Sequence, residues 1–148
     1  MLKNLRKIFG VEEGRAPEPA RPSRARNLHG HKLITHSSIG QTLVVTVVEQ
    51  ELNIETAADV CYEIRELYIH SAGTRNIVLD MENIKFVDSA GLNQLVDLLG
   101  VVKKRHGRLG IAAATQQVGV LFKLTRLELV FTIRRSVIET IDAIEPKD

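Results

Sequence analysis

The chain has 148 residues, 44% of them hydrophobic and 26% charged, which suits one soluble globular domain with a tail. With four Phe, two Tyr and no Trp, aliphatic side chains must build its core, and a net charge of +2 by itself implies no nucleic-acid partner. The single cysteine, Cys61, excludes an internal disulfide framework and a multi-cysteine metal site.

Charge is unevenly placed along the chain. Residues 1–30 carry seven Lys/Arg against three Asp/Glu, which leaves the remainder at −2. Pro17, Pro19 and Pro22 crowd into "RAPEPARPSRAR", and the fourth proline, Pro146, stands at the far terminus. Residues 1–30 are therefore expected to be a basic, Pro/Arg-rich, flexible arm, followed by one compact domain over 31–148. Inside the arm, Leu2, Leu5, Ile8 and Phe9 recur at helical spacing among Lys3, Arg6 and Lys7. Such a segment is either a frayed terminus or a basic amphipathic helix able to touch an anionic membrane surface weakly or to dock on a partner. The sequence shows neither a membrane-spanning run nor the continuous apolar stretch of a secretory signal, so a cytoplasmic location is expected.

From residue 31 the pattern becomes regular. "KLITHSSIG" and "QTLVVTVVE" read as two strands of a hairpin with Gly40 at the turn, the second rich in β-branched residues. "TAADVCYEIRELYIHSAG" places Ala57, Val60, Cys61, Ile64, Leu67 and Tyr68 on one helical face. Thr56 followed by Asp59 is a capping signature, and Gly73 supplies the stop. Cys61 falls on the apolar side and is expected as a buried structural thiol. "RNIVLDM" is a short strand of the kind buried between helices.

After "FVDSAG", the stretch "LNQLVDLLGVVKKRHG" sets Leu92, Leu95, Val96, Leu99 and Val102 on one side of a helix. Lys103, Lys104 and Arg105 complement the dipole of its last turn. "RLGIAAA" reads as a strand, "QQVGVLFKLTRL" as a helix, "LVFTI" as a last strand and "RSVIETIDAI" as a last helix. Strands alternating with about four helices after a hairpin predict an α/β sandwich with a mixed, mostly parallel sheet.

"FVDSAGL", residues 86–92, ends an apolar run in an acid, a hydroxyl and a glycine before a helical pattern restarts. Ser89 there can be a helix cap, a nucleophile or a modified residue. As a cap, its oxygen, or that of Asp88, accepts a free backbone N–H at the helix start. As a nucleophile it needs a base. "VDSAG" lacks the first glycine of a GxSxG elbow, and His106 stands at the far end of the same helix, about 17 residues or roughly 25 Å away. No phosphate-binding glycine motif and no metal-spaced histidines accompany it, and neither cofactor nor metal is expected. As a modified residue, Ser89 sits where unpaired N–H donors and the positive end of the helix dipole accommodate a phosphate.

The segment "NIVLDMENIKFVDSAGLNQLVDLLGVVKKRHGRLGIAAATQQVGVLFKLTRL" resembles the STAS domain of bacterial anti-sigma factor antagonists. In that family a buried strand runs through an acidic loop into D-S-[ST]-G-L and then a helix. "QELNIETA", residues 50–57, is similar to the family's G-E-L-D-x-x-T-A segment, and together the resemblance covers about residues 33–144. It implies a STAS-like α/β sandwich and a non-catalytic regulatory role. The unphosphorylated antagonist binds an anti-sigma factor that is also a serine kinase, phosphorylation releases it, and a serine phosphatase restores it.

By position, Ser89 matches the phosphoacceptor and Asp88 the acid before it. Gly91 and Leu92 match the helix start beneath the docking surface, and Asn53 aligns with the acid of the G-E-L-D segment. Asn53, Asp88, Ser89, Ala90, Gly91 and Leu92 are thus the expected partner-binding set. Gln50 replaces the family's glycine, Asn53 its aspartate and Ala90 its second hydroxyl, which leaves Ser89 as one acceptor instead of two neighbours. The alternative that keeps the fold is a fixed STAS adaptor, in a lipid-transport ABC complex or a signalling assembly, indifferent to phosphorylation.

Overall fold

The computed structural model describes residues 32–145. The arm expected over 1–30, its amphipathic segment and Pro146 lie outside the described residues. Strand β1 (Ile34–Ile39) turns through Gly40 and Gln41 into β2 (Thr42–Val47), antiparallel, with Ile34 opposite Val47 and Ile39 opposite Thr42. The two-residue strand β3 (Glu51–Leu52) leads to helix α1 (Ala57–Ile69). Then follow β4 (Asn76–Asp80), a second two-residue strand β5 (Phe86–Val87), and helix α2 (Ser89–Lys104). The chain closes with β6 (Leu109–Ala112), α3 (Gln116–Leu124), a 3-10 turn (Leu127–Leu129), β7 (Thr132–Arg134) and α4 (Val137–Ile144).

The main sheet has the order β1-β2-β4-β6-β7, and every pairing after the hairpin is parallel. Among the described residues this is the mixed, mostly parallel sheet with four α-helices that the sequence pattern predicts. Because strand side chains alternate between faces, each strand feeds two cores. Leu43, Val45, Val47, Ile77, Leu79, Leu109 and Ile111 join the buried faces of α1, α2 and α3 in the larger one. Val44, Val78 and Ala112 meet Ile141 and Ile144 of α4 on the other side.

The apolar faces read from the sequence are the faces that pack. Ala57, Val60, Cys61, Ile64 and Tyr68 of α1 are buried, as are Leu92, Leu95, Val96, Leu99 and Val102 of α2. Two details differ. Thr56 makes no side-chain bond to the start of α1. Its hydroxyl donates instead to Glu51 O at 2.6 Å, and Asn53 Oδ1 accepts the N–H of Glu55 at 2.9 Å and of Thr56 at 3.1 Å. Asx side chains favour this local bonding at a turn. The last strand also begins later than "LVFTI" suggests. Arg126 takes a left-handed φ of 60°, the next residues form the 3-10 turn, and Phe131 packs on Phe122 with ring centroids 6.0 Å apart.

Candidate functional site

The Asp88–Ser89 segment lies where a small second sheet meets the start of α2. β3 and β5 pair in parallel, Glu51 beside Phe86 and Leu52 beside Val87. Lys85 N–H donates to Gln50 O at 2.7 Å and Asp88 N–H to Leu52 O at 3.1 Å, extending that pairing at both ends. Alternation turns Val87 inward at 4% exposure and Phe86 outward at 51%.

Asp88 is the N-cap of α2. Its backbone is extended, with ψ −175°, and Oδ1 accepts the Gly91 N–H at 2.9 Å. Its other oxygen, Oδ2, accepts the N–H of Ile54 at 3.0 Å. One carboxylate thus caps the helix and ties down the 53–56 loop, a bond between residues 34 apart in sequence. Replacing Asp88 with Ala removes both bonds. Loss of a cap costs about 1 kcal/mol and a charge-assisted bond up to about 2, so a drop of about 2 kcal/mol is expected in urea denaturation. Asp88→Asn, which can still cap, should lose less than half of that.

With the capping done by Asp88, Ser89 is left as the first residue of the helix. It is exposed, and its hydroxyl has no hydrogen-bond partner among the described residues. Ala90 is half-buried, while Gly91 and Leu92 are buried beneath. Gly91 has a specific reason to be glycine. A methyl group there would overlap the carbonyl oxygen of Leu52 and lie 2.8 Å from Val87 Cγ1, so α2 approaches β3 as closely as it does only without a side chain.

Asn53 is half-buried at the edge of this surface, with Nδ2 donating to Glu51 Oε2 at 2.9 Å. The structure therefore brings Asn53, Asp88, Ser89 and Ala90 to one surface, with Gly91 and Leu92 as the layer under it. It also adds two residues that the sequence reading did not single out. Ile54, whose backbone is held by Asp88, is 80% exposed, and Phe86 is 51% exposed. The signal for Phe86 was available in the alternation of "KFV" against a strand with one buried face. Ile54 carried none, because an apolar residue in a four-residue loop has no period.

Among the described residues, no histidine stands beside Ser89 as a base for a serine nucleophile. His70 closes α1 and His106 follows α2, both at helix ends remote from the start of α2, and His36 faces out on edge strand β1. His70 Nε2 lies 3.2 Å from Glu66 Oε2. Cys61 is buried as expected, and burial, with the Asp97 carboxylate adding to it, pushes its thiol up to about 12, far from thiolate formation at neutral pH. Among the described residues, no helix is long and apolar enough to cross a membrane.

Residues 34–140 match the STAS domain family, nearly the whole of the described chain. The chain belongs to that family. The anti-sigma-B factor antagonist of Staphylococcus aureus is 31% identical to this STAS domain, covering 52% of this chain and 87% of that protein. Solved structures share the fold. An anti-sigma factor antagonist from Mycobacterium paratuberculosis has a TM-score of 0.65 at 22% identity, covering 75% of this chain and 92% of that one. The Bacillus cell fate determinant SpoIIAA in its phosphorylated form has a TM-score of 0.55 at 16% identity, covering 74% and 97% respectively.

Proposed function

We propose that this STAS domain is an anti-sigma factor antagonist in a partner-switching pathway, regulated by phosphorylation of Ser89. In this reading the unphosphorylated protein binds an anti-sigma factor that is also a serine kinase, and the complex frees a sigma factor. Phosphate on Ser89 ends the complex, and a serine phosphatase restores the binding form. The protein itself is a non-catalytic module acting in the cytoplasm.

The observation that carries the reading is the Ser89 hydroxyl: exposed, without a hydrogen-bond partner among the described residues, and relieved of capping duty by Asp88. A kinase can reach it without unfolding anything. The start of α2 then accommodates the product, because the helix dipole favours added negative charge there. Ile54 and Phe86 supply exposed apolar area beside it, the kind of residue that anchors a protein interface. The similarity to the Staphylococcus aureus antagonist supports the same role.

The test is phosphorylation of the full chain by the serine-kinase anti-sigma factor that co-purifies with it, with the site mapped by mass spectrometry. Incorporation at Ser89, abolished in Ser89→Ala, is expected. A bound kinase that turns over ATP and leaves Ser89 unmodified would sink the proposal.

A further inference from the structure

At the pole opposite Ser89, a second site is assembled from four separate segments. Helix α2 runs for 16 residues, about 24 Å, before the chain turns through His106 and Gly107 into β6. A cleft of about 210 Å3 opens there, lined by Gln41, Arg75, Asn76, His106, Arg108 and Ile144. That is several times the roughly 30 Å3 a water molecule occupies in the liquid.

The lining holds hydrogen-bond donors and cations, and no carboxylate. Neither Arg75 nor Arg108 has an ion-pair partner among the described residues. Glu145, next to Ile144, directs its carboxylate to Thr42 Oγ1, which donates to it at 2.8 Å, and does not line the cleft. Arg105 is also committed elsewhere, stacked on the Tyr68 ring at 4.7 Å and donating to Tyr68 O at 2.9 Å.

The decisive residue is Asn76. It is only 3% exposed, and its Oδ1 accepts the Arg108 N–H at 2.9 Å, which fixes the orientation of the amide. The amide nitrogen has no protein partner among the described residues and stays open to the cleft that the side chain lines, so it is available to donate to a bound group.

The local backbone is shaped to hold this arrangement. His106 adopts a left-handed φ of 60°, uncommon for a residue with a side chain. A methyl group on Gly107 would overlap the Arg75 carbonyl oxygen, so the turn presses onto Arg75 as only glycine allows. Arg75 and Asn76 N–H both donate to Gln41 O, at 2.9 and 3.1 Å, binding the hairpin turn to the same cleft.

We propose that this cleft is a binding site for a phosphoryl group, gripped by the Arg75 and Arg108 guanidiniums and by the unpartnered amide of Asn76. Guanidinium forks match phosphate oxygens, and charge-assisted bonds of this kind are about twice as strong as neutral ones. Donors converging from three segments suit a tetrahedral anion better than a planar one. The phosphoryl group belongs either to a free phosphorylated molecule or to a phospholipid headgroup. The site is distinct from the Ser89 surface and does not depend on the function proposed for it.

The test uses the full chain and inorganic phosphate as the probe, followed by amide chemical shifts, with chloride at matched ionic strength as the reference. Saturable shifts at Asn76, His106 and Arg108 at millimolar phosphate are expected. Arg75→Gln and Arg108→Gln, both at exposed positions, should each weaken binding about tenfold or more without unfolding the protein. Sedimentation with vesicles of phosphatidylcholine containing phosphatidic acid distinguishes the sources. Vesicle binding lost in the same two variants makes the ligand a headgroup, and phosphate binding without it makes the ligand a free molecule. Shifts that never saturate, or that both variants leave unchanged, would overturn the proposal.

Discussion

Ser89→Asp is expected to weaken binding to the anti-sigma factor partner by about a hundredfold, a loss of about 2.7 kcal/mol, while leaving the fold intact. The binding loss follows from position. Asp at residue 89 sets a second carboxylate beside Asp88, on a surface that otherwise offers Ile54 and Phe86 as apolar anchors. A partner must then desolvate two like charges to reach those anchors, and truncating or opposing such contacts costs 2 kcal/mol or more. Stability should change little. Asp in the first turn of α2 gains from the helix dipole by about 0.3–1 kcal/mol, and repulsion from Asp88 offsets part of that. Titration calorimetry of the wild type, Ser89→Ala and Ser89→Asp with the purified partner, alongside urea denaturation of each, separates the two effects. Ser89→Ala should bind within about threefold of wild type, because it adds no charge. Equal affinity of all three would leave Ser89 as merely the first residue of a helix, and the protein as a fixed adaptor.

Legibility in the sequence tracked the range of the interactions. The faces of α1 and α2 could be read because a packed helix repeats its apolar residues every three or four positions, and Val60, Ile64, Leu95 and Leu99 do so. The parallel sheet followed from alternating strands and helices. What escaped was made by contacts between distant residues. β3 and β5 have two residues each, too few for any period, and exist because residues 51–52 and 86–87 pair across 35 positions. Asp88 announced itself as a cap, but its bond to the Ile54 N–H was not visible from either segment. Leu129 looked like strand interior, yet it is 77% exposed on the 3-10 turn. Lys103, Lys104 and Arg105 were legible as partners of the α2 dipole, but Arg108 carried no signal of its own. Its place in one cleft with Arg75 and Asn76, some thirty residues earlier, required the folded chain.

Gly91→Ala is the second large effect, and its sign runs against helix propensity. In an open helix, alanine in place of glycine adds up to about 1 kcal/mol of stability. At residue 91 the new methyl meets Leu52 O and Val87 Cγ1, and neither can give way cheaply. Leu52 is 1% exposed, and its carbonyl already accepts the Asp88 N–H at 3.1 Å. Either α2 lifts at its first turn or β3 shifts, and both movements strain the Asp88 bonds to Gly91 and Ile54. Overpacking costs about 1–3 kcal/mol and a weakened charge-assisted bond about 1–2 more, so the net expectation after the propensity gain is a loss of about 1–4 kcal/mol. Gly119 provides the internal control, because it also lies within a helix, α3, and a methyl group there meets nothing within 4 Å. Gly119→Ala should stabilise the protein by up to about 1 kcal/mol. Opposite signs for the two substitutions in urea denaturation would show that the close approach of α2 to β3, rather than helix content, sets the energy of this corner. A gain at Gly91 instead would mean that the β3–β5 pair yields freely, and the Ser89 surface would then lack the rigid support that its proposed partner-facing role requires.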